Sequence, residues 1–464
     1  MPLGNQATGN RIVTPPPAPR TVTATPSVSE AAPTAAAVQL RGQGLASTDL
    51  YTAYRALVET YVDPIDETQL IRAAVEGLRA SLRNQVGLPL MTMPLELAPP
   101  PTGNAERDWQ SFGDAYDALV GKMPDWARET RADWAVLRAM AASLNDGHTS
   151  FVTPEEARRR QETSFAGIGV LLSRPQGDQP PLIAEIFPNS PASSSGLKRG
   201  DRILAVDGND VSGKSVPDIA QLIRGPRGTE VKLQVRRVSS PRPLDFTLRR
   251  AQVQVEQVIG RQVPNAPIGY LRIRSFGDEN VVQQALSVLD QGRARGLRGW
   301  VVDLRGNPGG PLRAVLAVGA GFVDAEHTTL GYQVDRARRQ TPLETQSLNL
   351  AEDMAVVILV DHDSASGAEI LAAALQEAGL ARLVGTRTAG NVGVATPITL
   401  PDESMLLVTE YRFVSPSGAQ LDGVGVTPDV VVELTDEDLE NDRDPQLARA
   451  LELVVQRITA QPGG

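Results

Sequence analysis

Residues 268–432 alternate between short apolar runs and stretches of helical periodicity, and this alternation constrains the fold more than any other feature of the chain. The apolar runs predict strands at residues 269–273, 300–304 and 355–360. The stretches between and after them predict helices at about residues 280–291, 311–322 and 367–378. Strands that alternate with helices fold into a sheet whose faces are covered by helices. We therefore expect an α/β core in this part of the chain.

The 464 residues are too many for one hydrophobic core, so several domains are expected. Residues 86–107 are rich in proline and are expected to form a loop or insertion. The N-terminal leader lacks the basic-then-apolar pattern of a secretory signal. The pattern predicts five segments: a disordered leader rich in Pro, Ala and Thr (1–45), a helical N-terminal region (46–162), a β-rich domain (163–252), the α/β core (253–440), and a C-terminal helix and tail (441–464).

The composition excludes several kinds of site. There is no cysteine, which excludes disulfides, thiolate metal ligands and a cysteine nucleophile. The formal net charge of −10 argues against nucleic acid and anionic lipid as partners, and no apolar stretch is long enough to span a membrane. Three scattered histidines, His148, His327 and His362, do not make a zinc site, so we expect neither a metal nor another cofactor.

Ser366 lies at a predicted corner between a strand and a helix. It follows the apolar run 355–360 and precedes an alanine-rich helical pattern that begins at Gly367. Such a corner holds a hydroxyl beside the first free N–H groups of a helix, a geometry that hydrolases use for a nucleophile. The alternative is an N-cap serine, with Glu369 completing a capping box.

The β-rich domain contains Gly167-Ile168-Gly169-Val170 and, further on, the stretch Gly-Leu-Lys-Arg-Gly-Asp-Arg-Ile-Leu at residues 196–204, a pattern that resembles a PDZ domain. Gly167 and Gly169 allow successive N–H groups to turn towards one point, which suits a C-terminal carboxylate. The strand that begins at Ile168 offers an edge to which a peptide can add. The alternative is a small β domain with ordinary glycine turns.

Four further motifs occur in the order of one protease family. They are Leu-Asn-Asp-Gly-His-Thr-Ser-Phe at residues 144–151, Val-Asp-Leu-Arg-Gly-Asn-Pro-Gly-Gly at 302–310, Ser-Ala-Ser-Gly-Ala-Glu-Ile at 364–370 and Gly-Val-Gly-Val-Thr-Pro-Asp at 423–429. With the PDZ-like segment, the chain resembles the carboxy-terminal processing peptidases, also called tail-specific proteases.

This resemblance implies a multi-domain α/β protein with an N-terminal helical region, a PDZ-like domain and a ClpP/crotonase-like serine peptidase core. It implies a serine endopeptidase that binds protein tails with apolar C-termini and cuts them with Ser366 as the nucleophile. Relatives of this kind act mostly outside the bacterial cytoplasm, which favours a periplasmic or secreted protein. The resemblance leaves an oligomer open.

One position departs from the family pattern. Most of these enzymes pair the serine with a lysine, and Asn391 stands in its place. An amide cannot act as a general base at neutral pH, and no lysine follows Lys232, so a Ser-Lys dyad is excluded unless a lysine from another domain intrudes. Relatives of the tricorn core-protease type use a histidine oriented by an acid, and His148 and Asp422 resemble those positions.

The resemblance to that site implies a Ser366–His148–Asp422 mechanism, with backbone N–H groups of Gly309 or Gly310 and of Gly367 as the oxyanion hole. Four alternatives stay open. His362, four residues before the nucleophile, is a rival base, and Ser364 is a rival nucleophile that more plausibly supports the turn. The chain could also be a catalytically inactive PDZ-containing scaffold with a degenerate peptidase fold, or an enzyme held inactive until a tail or partner docks.

Overall fold

A computed structural model of the chain describes residues 44–83, 102–121, 123, 131–161, 164–173, 179–278, 280–351 and 353–460. Most of the predicted leader lies outside these residues. Its last residue, Leu45, is buried, and its N–H donates to the Asp133 side chain at 2.9 Å, so Leu45 packs with the helical region.

The N-terminal region is helical, as predicted. Its described residues form five helices and one short strand: α1 (Ser47–Thr60), α2 (Glu67–Arg83), α3 (Ala105–Val120), α4 (Ala132–Ser143), β1 (Ser150–Val152) and α5 (Pro154–Gln161). The sequence did not predict α3 or α5, and the expected loop at 86–107 is wrong at its last residues. Asn104 caps α3 through a hydrogen bond from the Arg107 N–H, and Trp109, Phe112 and Tyr116 bury one face of the helix.

Residues 164–254 form a β-rich middle domain. Its elements are β2 (Ser164–Gly167), β3 (Val170–Ser173), β4 (Leu182–Ile186), β5 (Arg202–Val206), β6 (Asn209–Asp210), α6 (Val216–Ile223), β7 (Glu230–Arg236), β8 (Leu244–Arg249) and β9 (Ala251–Gln254), with a short 3₁₀ turn at Ala192–Ser194. The main sheet has the order β3-β4-β5-β7-β8, with β6 paired to β5, while β2 pairs with β9. Strand β3 therefore lies at an edge of its sheet, where a further strand can add.

The remaining elements build two sheets and their covering helices. They are β10 (Val258–Gln262), β11 (Ile268–Ile273), α7 (Val281–Ala294), β12 (Gly299–Asp303), α8 (Leu312–Gly319), β13 (Thr329–Val334), β14 (Gln340–Glu344), β15 (Ala355–Val360), α9 (Gly367–Glu377), β16 (Ala381–Gly385), β17 (Gly393–Thr399), β18 (Met405–Val414), β19 (Val430–Val431), α10 (Asp436–Glu440) and α11 (Pro445–Ala460). The first sheet has the order β10-β11-β12-β15-β16-β19 and is parallel from β11 to β19.

The parallel sheet is buried on both faces. Every residue of β15 is buried, because alternate side chains point into two apolar clusters. One cluster includes Ile358 and residues of α7, α8 and α9. The other includes Val357 and residues of α11. The predicted α/β core is confirmed, and its carboxyl edge, where β12 and β15 end, carries the turns that lead to residues 305–310 and to Ser366.

A second, antiparallel sheet was not predicted. Its order is β1-β18-β13-β14, with β17 also paired to β18. Leu406 and Val408 of β18 are buried in the same apolar cluster as the N-terminal helices. The helical region therefore shares its core with this sheet instead of packing on its own.

A buried ion network joins the helical region to the second sheet. The Arg131 guanidinium pairs with Asp133 at 2.6 Å and also with Asp402, and the Asp402 side chain is fully buried. Asp402 further accepts from the Trp134 ring N–H at 2.9 Å and from the Ser404 hydroxyl at 2.5 Å. A fully buried carboxylate is stable only with such a set of partners.

We predict that Asp402→Asn lowers the free energy of unfolding by about 3 kcal/mol, because it removes one partner of a buried ion pair. Chemical denaturation of the full chain measures this change. The control is Glu59→Gln, which breaks an exposed pair with Arg55 and should leave the midpoint unchanged. A variant at residue 402 as stable as the unmodified protein would contradict the prediction.

Candidate active site

The turn after β15 holds Ser366 in a strained conformation. Asp361 accepts the N–H groups of Gly306, Asp363 and Ser364 at 2.9 to 3.1 Å, which fixes the chain between the strand and α9. Ser366 has φ 51° and ψ −118°, a region that L-residues avoid, and its side chain is half-buried. Strain of this kind is held only where the surrounding structure imposes it, and it clusters at functional sites.

The rival serine has a structural role. Ser364 is fully buried, and its hydroxyl donates to the Leu304 carbonyl at 2.8 Å. This bond ties the end of β15 to the end of β12. Ser364 therefore supports the turn that presents Ser366.

A glycine loop packs directly against Ser366. A Cβ atom on Gly309 would lie 2.7 Å from the Ser366 Cβ and 2.7 Å from the Gly367 nitrogen, so a side chain cannot fit there. The Gly309 N–H donates to the Asn307 side chain at 2.8 Å. Of the three expected oxyanion-hole donors, the Gly309 N–H is thus already hydrogen-bonded within the protein in this structure.

Residues 388–393 form a segment, here called the hub segment, that runs between Ser366 and His148. Its four successive N–H groups at residues 390–393 all donate to side chains of the site. In chain order, the acceptors are Glu369 Oε1 at 2.8 Å, Glu369 Oε2 at 2.9 Å, Asp422 Oδ1 at 3.3 Å and His148 Nε2 at 2.5 Å. The Asn391 carbonyl accepts the Ser366 N–H at 2.9 Å. One short segment thus contacts all three residues of the predicted triad.

His148 lies in a tight turn beside β1. Asp146 accepts the His148 N–H at 2.7 Å, which fixes the turn. Burial lowers the pKa of His148, while the carboxyl groups of Asp146, Asp422 and Glu369 act in the opposite direction. A Cβ on Gly393 would lie 2.4 Å from the imidazole Cδ2, so only glycine leaves room for the ring.

The hydrogen bonds of the described residues do not include one between the Ser366 hydroxyl and the His148 ring, and in this arrangement the Nε2 lone pair is occupied by the Gly393 N–H. Asp422 lies beside Arg412, 3.4 Å from the guanidinium, and affects His148 through its charge. Ser366, His148 and Asp422 surround the hub segment. The hydrogen bonds of the described residues do not include those of a working triad, from serine to histidine and from histidine to aspartate.

The other two histidines lie elsewhere. His362 Nε2 is 3.2 Å from the Ser173 hydroxyl, at the contact between the middle domain and the core. The His327 ring lies 2.8 Å from an Asp324 carboxylate oxygen, in the loop before β13. Neither contact is with the hub segment.

The four residues expected to bind a peptide carboxylate lie at the edge of the middle domain. Gly167 ends β2, Ile168 is buried, Gly169 has φ 82°, and Val170 begins β3. The last three help to line a cavity of about 340 Å³ between β3, α6 and the core. No cluster of three or more His, Asp or Glu side chains that could hold a metal ion occurs in the described ranges. In the same part of the chain, every helix is too short or too polar to cross a membrane.

Two family models match this chain. The model described as peptidase family S41 matches residues 267–432, and the model described as PDZ domain matches residues 182–237. The carboxy-terminal processing protease CtpA of Bacillus subtilis is 30% identical over 341 residues, which cover 72% of this chain and 71% of that protein. The carboxyl-terminal-processing protease of Synechocystis is 30% identical over 337 residues, covering 70% of this chain and 78% of that protein.

The chain belongs to the carboxy-terminal processing protease family. It is a serine-type peptidase of family S41, and its middle domain is a PDZ domain. Among solved structures, the photosystem II D1 C-terminal processing protease is 25% identical and superposes with a TM-score of 0.56 over 88% of this chain and 96% of that one. A putative S41 protease from Bacteroides fragilis is 20% identical, with a TM-score of 0.51 over 70% of this chain and 90% of that one, and shares the fold.

Asn391 contacts the turn that carries His148. A Cβ atom on Gly147 would lie 2.3 Å from the Asn391 side-chain oxygen, so the amide packs directly on that turn. The three described lysines, Lys198, Lys214 and Lys232, are all exposed on the PDZ domain. The residue in the position of the family's lysine therefore packs beside the proposed histidine base.

Glu369 has a role that the sequence revealed only in part. The sequence pattern predicts a capping-box residue, and the Glu369 side chain does accept the Ser366 N–H at 3.0 Å. It is also fully buried and accepts the Thr388 hydroxyl at 2.5 Å, in addition to the two hub N–H groups. Since its two oxygens receive four donors from Ser366 and the hub segment, we infer that Glu369 is a positioning residue.

We predict that Glu369→Gln lowers kcat at least about tenfold with little change in KM, because an amide NH₂ cannot accept the hub N–H groups and the segment shifts. Cleavage of an internally quenched peptide measures both constants, at a temperature where circular dichroism shows a folded variant.

The matched control is Glu377→Gln, on an exposed position about 12 Å further along the same helix. It should retain full activity. A folded Glu369→Gln variant with kcat within twofold of the unmodified peptidase would show that the carboxyl group does not position the site.

Proposed function

We propose that this peptidase captures the C-terminal tails of proteins in the groove between β3 and α6 and cuts them with Ser366, His148 and Asp422. The observation that carries the proposal is the hub segment, which hydrogen-bonds to all three side chains or to their backbone. The apolar groove walls at Ile168 and Ile223 suit tails that end in an apolar residue. On the family resemblance alone, we also propose that the protein acts outside the cytoplasm.

The chemistry begins at the strained corner. The Ser366 oxygen attacks the peptide carbonyl, and the imidazole of His148 takes its proton as the carbon–oxygen bond forms. The imidazolium then gives this proton to the leaving amine as the carbon–nitrogen bond breaks. Water hydrolyses the acyl-enzyme by the same route.

His148 must first release the Gly393 N–H, because that donor occupies the ring nitrogen in this structure. Peptidase sites often form their working hydrogen bonds only when substrate binds. Asp422 then stabilises the imidazolium by its charge, as its effect on the His148 pKa indicates. The developing oxyanion is stabilised by the N–H groups of Gly310 and Gly367, with Gly309 able to join them only if it leaves Asn307.

We predict that Ser366→Ala and His148→Ala each abolish hydrolysis, while His362→Ala retains most of it. A fluorophosphonate probe should label the unmodified protein and the His362 variant at Ser366, and should not label the Ser366 variant. Absence of labelling in a folded, unmodified sample with and without tail peptide would favour the inactive scaffold, for which Asn391 is the best support. Full activity in the His148 variant would refute the proposed base.

We predict that kcat/KM is constant near neutral pH and falls on acidification with a midpoint below 6.5, the ordinary value for histidine. The sign follows from two facts: only the neutral ring accepts the serine proton, and burial lowers the pKa of His148. A pH profile of kcat/KM for the free enzyme measures this. A midpoint above 7, or a flat profile down to about pH 5, would contradict the assignment.

A further inference from the structure

The cavity that contains the expected tail groove is unusually cationic for a chain of net charge −10. Its lining includes four arginines, Arg224, Arg272, Arg274 and Arg305, and among the described residues that line it there is no aspartate or glutamate. Its other end is apolar. A second cavity of about 260 Å³ adjoins it, shares Arg272 and Arg305 with it, and has acidic residues in its own lining.

Two of these arginines already make ion pairs and hydrogen bonds within the protein. Arg274 pairs with Glu185 and also donates to the Glu256 carbonyl at 2.9 Å. Arg305 donates to Asp303 and Asp444 at 2.7 to 3.0 Å. Arg274 thereby joins the core to the PDZ domain, and Arg305 joins β12 to the segment before α11, so both guanidinium groups have little left for a ligand.

Arg272 is less well satisfied. Its Nη2 lies 3.0 Å from Glu185, a carboxylate that it shares with Arg274, and its Nη1 lies 3.4 Å from Asp303, which is shared with Arg305. Its Nε is buried and has no hydrogen-bond partner among the described residues. A buried donor without a partner costs free energy that an incoming acceptor would recover.

We propose that Arg272 binds an acidic side chain of the docked tail, so that the peptidase prefers tails with Asp or Glu at the second to fourth residue from an apolar C-terminus. This inference rests on the proposed function of the groove. A tail added to the edge of β3 places its carboxylate at Ile168–Val170 and runs towards Ser173 at about 3.4 Å per residue. Leu171 and Leu172 of β3 line the same cavity as Arg272, which places the acidic residue one to three positions before the terminal residue.

The experiment uses the full chain with Ser366→Ala, which prevents cleavage, and fluorescent ten-residue peptides with an apolar terminal residue. Glu and Gln are compared at each of the three positions, both as free acids and as C-terminal amides. At one or more positions we expect Glu to bind about five- to tenfold tighter than Gln, because a charge-assisted hydrogen bond forms at a largely buried guanidinium. All peptides are compared on this one protein, so the result does not depend on how a substitution at Arg272 affects its stability.

Arg272→Gln should reduce the preference for Glu below twofold, and Arg272→Lys should retain part of it. The matched control is Arg199→Gln, which changes an arginine of the neighbouring cavity only and should keep the full preference.

The outcomes separate the two proposals. Equal binding of free acids and amides would refute carboxylate capture in the groove, while equal binding of Glu and Gln peptides at all three positions would overturn the role of Arg272. If Arg272→Gln removed the advantage of the free acid and left the preference for Glu, the terminal carboxylate itself would lie at Arg272, and the inference would be wrong.

Discussion

The hydrogen bonds of the hub segment are the constraint on which the active site depends. Four successive backbone N–H groups of residues 390–393 are accepted by Glu369, Asp422 and His148, and the carbonyl of Asn391 accepts from Ser366. Because each of these N–H groups is hydrogen-bonded, the segment fixes the positions of the side chains that accept from it. Ser366, His148 and Asp422, from three distant parts of the chain, therefore lie around one segment.

The same network accounts for the departure from the family's lysine. The amine of a lysine at residue 391 would itself be the base for the serine, whereas the Asn391 side chain packs on the turn of His148. The imidazole lies on a turn held by Asp146 and by the pairing of β1 with β18. The antiparallel sheet thus brings a histidine that is distant in sequence beside the hub segment.

The sequence predicted well what depends on local periodicity. Strand β15 was predicted with its observed bounds, and the corner at Ser366 was found because an apolar run changes to a helical pattern there. The second sheet was missed because the pairings that assemble it, β1 with β18 and β13 with β18, join residues far apart in the chain, such as Phe151 and Leu406. The contact of Gly393 with His148 spans 245 positions and leaves no local signal. The sequence predicts Glu369 as a capping-box residue. The hydrogen bonds that it accepts from the Thr388 hydroxyl and from the hub N–H groups are seen only in the structure.

A crystal structure of a peptidyl phosphonate adduct of Ser366 would show whether His148 is the base that serves this serine. We expect a ring nitrogen of His148 to have left the Gly393 N–H and to lie within about 3.2 Å of the Ser366 oxygen or the leaving-group position. An adduct in which the ring still holds Gly393, with another side chain beside the serine oxygen, would contradict it.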